Sequence, residues 1–409
     1  MLDLAFARQR FPGLDSDWAF MDNAGGSHVL DSVIDSVADY MRRYPVQLGA
    51  SYPASREASG RQEAGAAAMA ELVNATHPEE IVVCPSTTVA IGRLARALRG
   101  QLRPGDEIIV TDADHEANIT PWRRLEADGI RVLTWQLNPD SLRLELDDLE
   151  ALMGERTRLV CFTHTSNVLG SIEPVAEITR FVHERGARVC VDGVAFAPHR
   201  LVDVRAWDVD FYAFSLYKVY GPHLAVLYGK RDALLALDNL NHDFFSADLL
   251  PAKLQPGASP YELTASLPAI NDYLAALGRR SGAPAHASPR ECMAAAFDAM
   301  AAHEQNLTAP LLDLLGNHPA VRIFGESSAD ADKRAPTLSF TVDGRDSADF
   351  PAALDRQKIA IRFGHFYARR LIEKLGLTGC NGVVRISLAH YNTPREVDRL
   401  VGQLERLLG

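Results

Sequence analysis

Short runs of apolar, often β-branched residues recur along the chain and alternate with stretches of helical period. Glu80-Ile81-Val82-Val83-Cys84 reads as a buried strand, followed by Pro85-Ser86-Thr87-Thr88 and a helix from Val89 to Leu98. Further strands are expected at Glu107–Val110, Arg131–Trp135, Leu159–Thr163, Arg188–Val191 and Phe211–Phe214. Between them lie helical patterns, including one from Asp31 and one over Ser59–Asn74. Apolar strands separated by helices imply an α/β fold, a mostly parallel sheet covered on both faces. In such sheets ligands gather at the carboxyl ends of the strands, and the polar residues of interest fall there.

Residues 1–20 read as a short helix and an arm, and a large domain is expected over 21–282. The Gly-, Pro- and Ala-rich segment Ser281–Pro289 is the best candidate boundary. A smaller α+β domain, 283–409, should hold a helix over 290–316, strands at Pro336–Val342, Ile359–Arg362 and Val383–Leu388, and a closing helix from Pro394.

With 409 residues, 47% of them hydrophobic, the chain can bury a large core. Its net charge of −11 and lack of long Lys/Arg clusters argue against a nucleic-acid or membrane partner; Arg123-Arg124 and Arg369-Arg370 are too short. No stretch reaches the ~20 apolar residues that span a bilayer, and a cytoplasmic location is expected. The five cysteines show no metal-ligand spacing and read as reduced, mostly buried thiols.

The candidate chemistry centres on Lys218, which follows Val191-Asp192-Gly193 by 26 positions. A lysine amine can bind the aldehyde of pyridoxal phosphate, and an aspartate at a strand end can keep the pyridine nitrogen protonated. Each residue also has a plainer reading, a solvated lysine and a helix-capping Asp. Ser86-Thr87-Thr88 offers hydroxyls and free amides at a helix start, a cup for phosphate or a simple cap. His115 suits stacking on a cofactor ring. Asp112, Asp114 and His115 as metal ligands is the weaker alternative, and no metal is expected.

Asp22-Asn23-Ala24, Ser86-Thr87-Thr88, Asp114–Trp122, Thr163–Gly170, Val191-Asp192-Gly193, Phe214–Lys218 and Tyr391-Asn392-Thr393 together resemble the class V aminotransferase family of fold type I pyridoxal phosphate enzymes. Within it the chain resembles the cysteine desulfurases of the SufS type, over roughly residues 18–405. The resemblance implies a large, mostly parallel seven-stranded sheet domain with the smaller C-terminal domain beside it, and the N-terminal arm packed on the latter. It also implies a homodimer acting on a small amino acid, with pyridoxal 5'-phosphate as cofactor.

Site roles follow by the same resemblance. Lys218 would bind the cofactor, Asp192 would hold its ring nitrogen, His115 would stack on the ring, and Asn167 would donate near the ring hydroxyl. Thr87, Thr88 and Ser215 would hold the phosphate and Ser86 and Tyr217 would also contact the cofactor, with Ser259, in the turn Gly257–Pro260, reaching across from the partner subunit. Arg385 would grip the substrate carboxylate, Arg362 would be a second anion contact, and Asn23 and Ala24 would lie beside the substrate.

Three departures bear on the reaction. Tyr367 stands where the SufS-type branch carries the cysteine that accepts sulfur, Ala195 replaces a glutamine, and Tyr217 replaces a histidine. Cys380 is a possible substitute nucleophile or a plain turn cysteine. The reading is Cα deprotonation by Lys218 with β-elimination of sulfur, a desulfurase-like C–S lyase in which Tyr367 or His365 protonates the leaving group. An epimerase or aminotransferase shares every cofactor contact, and a non-catalytic regulator or scaffold is the rival from outside the enzymes.

Overall fold

The computed structural model describes residues 1–257 and 259–409. The large sheet has seven strands: β2 (Ile81–Cys84), β3 (Glu107–Thr111), β4 (Arg131–Trp135), β5 (Thr157–Thr163), β6 (Arg188–Asp192), β7 (Phe211–Ser215) and β8 (Ala225–Gly229). Their spatial order is β2-β8-β7-β6-β5-β3-β4, and β8 alone runs opposite to the other six. This is the α/β architecture of fold type I pyridoxal phosphate enzymes.

Both faces of the sheet are apolar because both are covered. Val83, Ile109, Val160, Phe162, Val191 and Phe214 point into one core, shared with helices Pro268–Arg280 and Pro289–Gly316. Their neighbours Val82, Ile108, Val110, Cys161, Cys190 and Ala213 point into the other, against Ile91 and Leu94 of helix Thr87–Leu98. The period of two thus explains why these strands read as continuous apolar runs. Gly193, just after β6, is forced by packing: a Cβ there would fall about 2.1 Å from the Tyr212 ring.

A four-stranded antiparallel sheet, β12 (Arg362–Gly364), β13 (Val383–Ser387), β10 (Thr337–Val342) and β9 (Val321–Phe324) in that order, builds a third core with helix Pro394–Leu408. Helix Pro289–Gly316 joins the cores: Met293 and Phe297 pack under the large sheet, Leu311 and Leu315 under the small one. Ser281–Ser288 is a tight connection between two helices that pack so closely that a Cβ on Gly278 would meet Cys292 O at 1.7 Å.

The N-terminal segment touches both regions. Phe11 packs among Tyr220, Tyr273, His390 and Tyr391, whereas β1 (Ala19–Phe20) pairs in parallel with β11 (Ile359–Ala360). The run Ile359–Arg362, expected as one strand, is therefore two: the chain changes partner at Ile361, from β1 to β13. The helix expected over Ser59–Asn74 starts earlier, at Pro53, and stops where Asn74 turns left-handed at φ 61°. No helix among the described residues is long and apolar enough to cross a membrane.

Candidate active site

Because β8 alone is reversed, the carboxyl ends of the other strands open at one edge of the sheet. There, Cys84 runs through Ser86 into helix Thr87–Leu98, β6 ends on Asp192, and β7 ends on Ser215 with Lys218 one turn on. A cavity collects Ser86, Thr87, Thr88, His115, Asn167, Asp192, Ser215, Tyr217 and Lys218 from separate segments of the chain.

At one end, the Ser86 hydroxyl accepts from Val89 N–H (3.2 Å) and fixes the start of the helix. Thr87 Oγ1 and Ser215 Oγ are 2.7 Å apart, tying that start to the end of β7. Hydroxyls, unpaired first-turn amides and the positive end of the helix dipole make an anion cradle. Tyr217 stands at the side, its ring stacked on exposed His223 with centroids 4.8 Å apart. Thr88 is exposed at the rim.

Lys218 is buried, and its Nζ makes no hydrogen bond or ion pair with any described residue. Burial, then Arg385, lowers its pKa to about 8, with Asp192 and Asp22 opposing. Asp192 is also buried and accepts one hydrogen bond, from Val194 N–H at 2.9 Å. Desolvation raises it to about 6 against the pull of Val194 and Lys218. His115, held by Ala117 N–H on Nδ1 (3.0 Å), falls to about 4, chiefly by burial and then by the charge of Lys218, and is neutral at pH 7.

Pyridoxal phosphate fits these residues. Thr165 Oγ1, on the wall, is buried without a partner, and a buried amine and carboxyl without full partners are costly unless a ligand engages them. The donor set matches an aldehyde, a ring nitrogen and a phosphate in one molecule.

Beside the cavity, Arg385 rises from β13. Its Nη1 donates to Asn167 O (3.1 Å) and its Nη2 to Asp22 Oδ1 (3.1 Å), while its buried Nε has no acceptor. Burial lowers this guanidinium to about 10, and it remains charged at neutral pH. Arg362 is exposed, with Nη1 3.5 Å from Asp22 Oδ2. Asp22 thus bridges both arginines, a role missed in the sequence although the residue opens the quoted Asp22-Asn23-Ala24; two arginines awaiting an anion were the available signal.

Asn23 is placed differently from Ala24. Its side-chain amide is spent internally, donating to Ser387 O (2.9 Å) and Asn392 Oδ1 (3.2 Å) and accepting from Tyr391 OH. Ala24 N–H donates to Ser387 Oγ (2.9 Å).

The segment after β12 overhangs the site. Tyr367 is 68% exposed with its ring 5.2 Å from that of His115, and exposed His365 accepts from Tyr367 N–H on Nδ1 (3.1 Å). Cys380 directs its thiol into its own turn, toward Leu377 O (3.3 Å) and Gly382 O (3.4 Å). Ser259 is half-buried and does not line the cavity; Ala258 of the same turn lies outside the described residues. The metal alternative finds its carboxylates in use: Asp112 binds Lys374 Nζ (2.7 Å) and Leu137 N–H (2.7 Å), and Asp114 accepts from Asn118 (2.8 Å) and Thr111.

Fold and site define a pyridoxal phosphate-dependent enzyme. The sequence pattern of the family Aminotransferase class-V matches residues 19–245 and 287–400, and the chain belongs to that family. It is 41% identical to the "Aminotransferase-like protein FGM3" of Gibberella zeae over 98% of this chain and 97% of that one. It is 33% identical to the "Cysteine desulfurase-like protein ustD" of Aspergillus flavus, over 100% and 91%. The crystal structure of the cysteine desulfurase CsdA from Escherichia coli covers all of both chains with a TM-score of 0.83 at 29% identity.

Proposed function

We propose that the protein breaks a C–S bond in an amino acid by removing the Cα proton and eliminating the β-substituent. The observation that carries this reading is the buried, unpaired Lys218 amine, lowered to about 8 and set in one cavity with Asp192. Bound there, pyridoxal phosphate supplies an aldehyde for the substrate amine and a protonated ring that draws electron density from Cα. Lys218, neutral once its proton is shed, takes the Cα proton. Arg385, whose Nε–H still lacks an acceptor, receives the substrate carboxylate, which fixes the substrate so that the Cα–H bond faces Lys218. Neutral His115 excludes water from one side, and Asn167 and Tyr217 line the others. As the C–S bond breaks, its electron pair leaves on sulfur, and Tyr367 or His365 delivers the proton.

A desulfurase reaction needs a mobile thiolate near the substrate, leaving alanine and an enzyme persulfide. Tyr367 cannot accept sulfur, and the Cys380 thiol is engaged within its turn. S-substituted cysteines should therefore yield pyruvate and ammonia in equal amounts with the released thiol, and Cys380→Ala should keep activity within about twofold. Alanine in stoichiometric yield, with persulfide on Cys380, would return the chain to the desulfurase reaction.

We place the working enzyme in the cytoplasm as a homodimer. Free thiols at all five cysteines suit a reducing compartment. Exposed Ile34, Met41, Val89 and Phe244 give a second subunit apolar surface to cover. The resemblance has Ser259 serving the partner's phosphate site. Mixing Lys218→Ala chains with chains lacking the Ser259 turn should then restore roughly a quarter of the wild-type sites at random pairing. Proven hybrids with no recovered activity would mean that each site is built within one chain.

A further inference from the structure

We infer that Phe366 is a positioning residue for the substrate carboxylate, acting through Arg385; this rests on the amino-acid reading above. The Arg385 guanidinium lies over the Phe366 ring, Cζ 3.7 Å from the centroid, well inside the roughly 6 Å at which a cation is drawn to an aromatic face. Around its edge, Asn167 O and Asp22 Oδ1 take one N–H each, and Nε is left buried and without an acceptor. One face is closed by the ring and two edge positions are occupied. Of the five guanidinium N–H groups, the Nε–H and one on each Nη remain for a carboxylate, and the ring confines it to the plane of those donors.

The ring is held there by backbone geometry rather than by chance packing. Phe366 and Tyr367 both adopt left-handed φ values, 49° and 61°, which side-chain-bearing residues rarely take. The segment is fastened by its carbonyls: Asn167 Nδ2 donates to Phe366 O at 2.8 Å, and Glu116 N–H to Tyr367 O at 2.8 Å. Asn167 consequently touches Arg385 with its own carbonyl and Phe366 with its amide, closing a triangle of three residues next to the cofactor cavity. Strain kept at an over-determined position beside a site is the pattern of pre-organisation. Here it presses an aromatic face against an arginine that burial would otherwise leave poorly solvated on that side.

The test compares two probes on the cofactor-loaded protein, S-methyl-L-cysteine and 2-(methylthio)ethylamine, which differ only in the carboxylate. Binding is followed by the cofactor absorbance change, with cofactor content and melting midpoint measured alongside. Phe366→Leu, which keeps bulk but lacks the π face, should weaken S-methyl-L-cysteine binding on the order of tenfold and leave the amine within about twofold. Phe366→Tyr should restore the wild-type ratio. A ratio unchanged in Phe366→Leu overturns the inference while leaving the amino-acid reading intact. Equal weakening of both probes assigns Phe366 to packing and overturns it too. A wild-type protein that does not favour the carboxylate-bearing probe sinks the amino-acid reading itself, and the inference with it.

Discussion

Lys218→Ala should give a folded protein that holds no borohydride-fixable cofactor and turns over at least about 10³-fold more slowly, within the range for removing a positioned proton-transfer group. The wild-type chain should carry the reduced pyridoxyl label on Lys218 alone. The fold should tolerate the change because Lys218 costs stability where it stands: its amine is buried and unpaired. The sign follows from its lowered pKa. With about 8 in the folded chain against an ordinary 10.5, the folded state binds fewer protons than the unfolded one between those values, and cofactor-free wild type gains stability as pH rises through that window. Lys218→Ala should lack that gain. The same shift sets how fast the cofactor-free chain captures added pyridoxal phosphate. Below pH ~8 the neutral amine increases about tenfold per pH unit, and above it the rate should level off. Label on another lysine, or a rate still climbing past pH 10, would remove Lys218 from its role.

Much of this arrangement is legible in the sequence, for a physical reason. The strands of the large sheet are buried on both faces, leaving unbroken runs such as Ile81–Cys84 and Phe211–Ser215 that little else produces. The polar residues following them are then fixed at the strand ends by topology alone, and Ser86, Asp192, Ser215 and Lys218 meet in one cavity. What stayed hidden depends on contacts between distant segments. Nothing local marks Ile361 as the point where a strand changes partner, since that depends on β1, some 340 residues earlier. Asp22 reads as a turn residue until the fold brings Arg362 and Arg385 to its two oxygens. Asn23 shows the converse: a polar residue in the same motif, its amide consumed by the packing of Ser387, Tyr391 and Asn392. Left-handed turns are usually announced by glycine, and Phe366-Tyr367 carries two such conformations without one.

Asp192→Ala should retain cofactor yet lose at least about 10²-fold in turnover, the lower range for removing a pre-organised electrostatic group. The two losses separate because different residues are responsible. The helix start at Thr87, the Ser215 hydroxyl and Lys218 would hold the ligand at other atoms, whereas the Asp192 carboxylate alone among the described lining residues could keep the ring nitrogen charged. Asp192→Asn sharpens the test. The amide oxygen can still accept from Val194 N–H, as Asp192 does at 2.9 Å, but it carries no charge. Turnover should fall nearly as far as in the alanine variant. Stability should move the other way. Desolvation raises the Asp192 pKa to about 6 from an ordinary 3.8, so the folded state binds the extra proton between those values. Cofactor-free wild type therefore loses stability as pH rises through that window, and Asp192→Asn should not. At pH 7.5 the cofactor-free asparagine variant should melt above wild type, while at pH 4 the two should converge. A variant that is more stable, still yellow and nearly inactive would assign the carboxylate to the chemistry. Near-normal turnover in Asp192→Asn, or activity lost only in step with cofactor content, would remove that assignment.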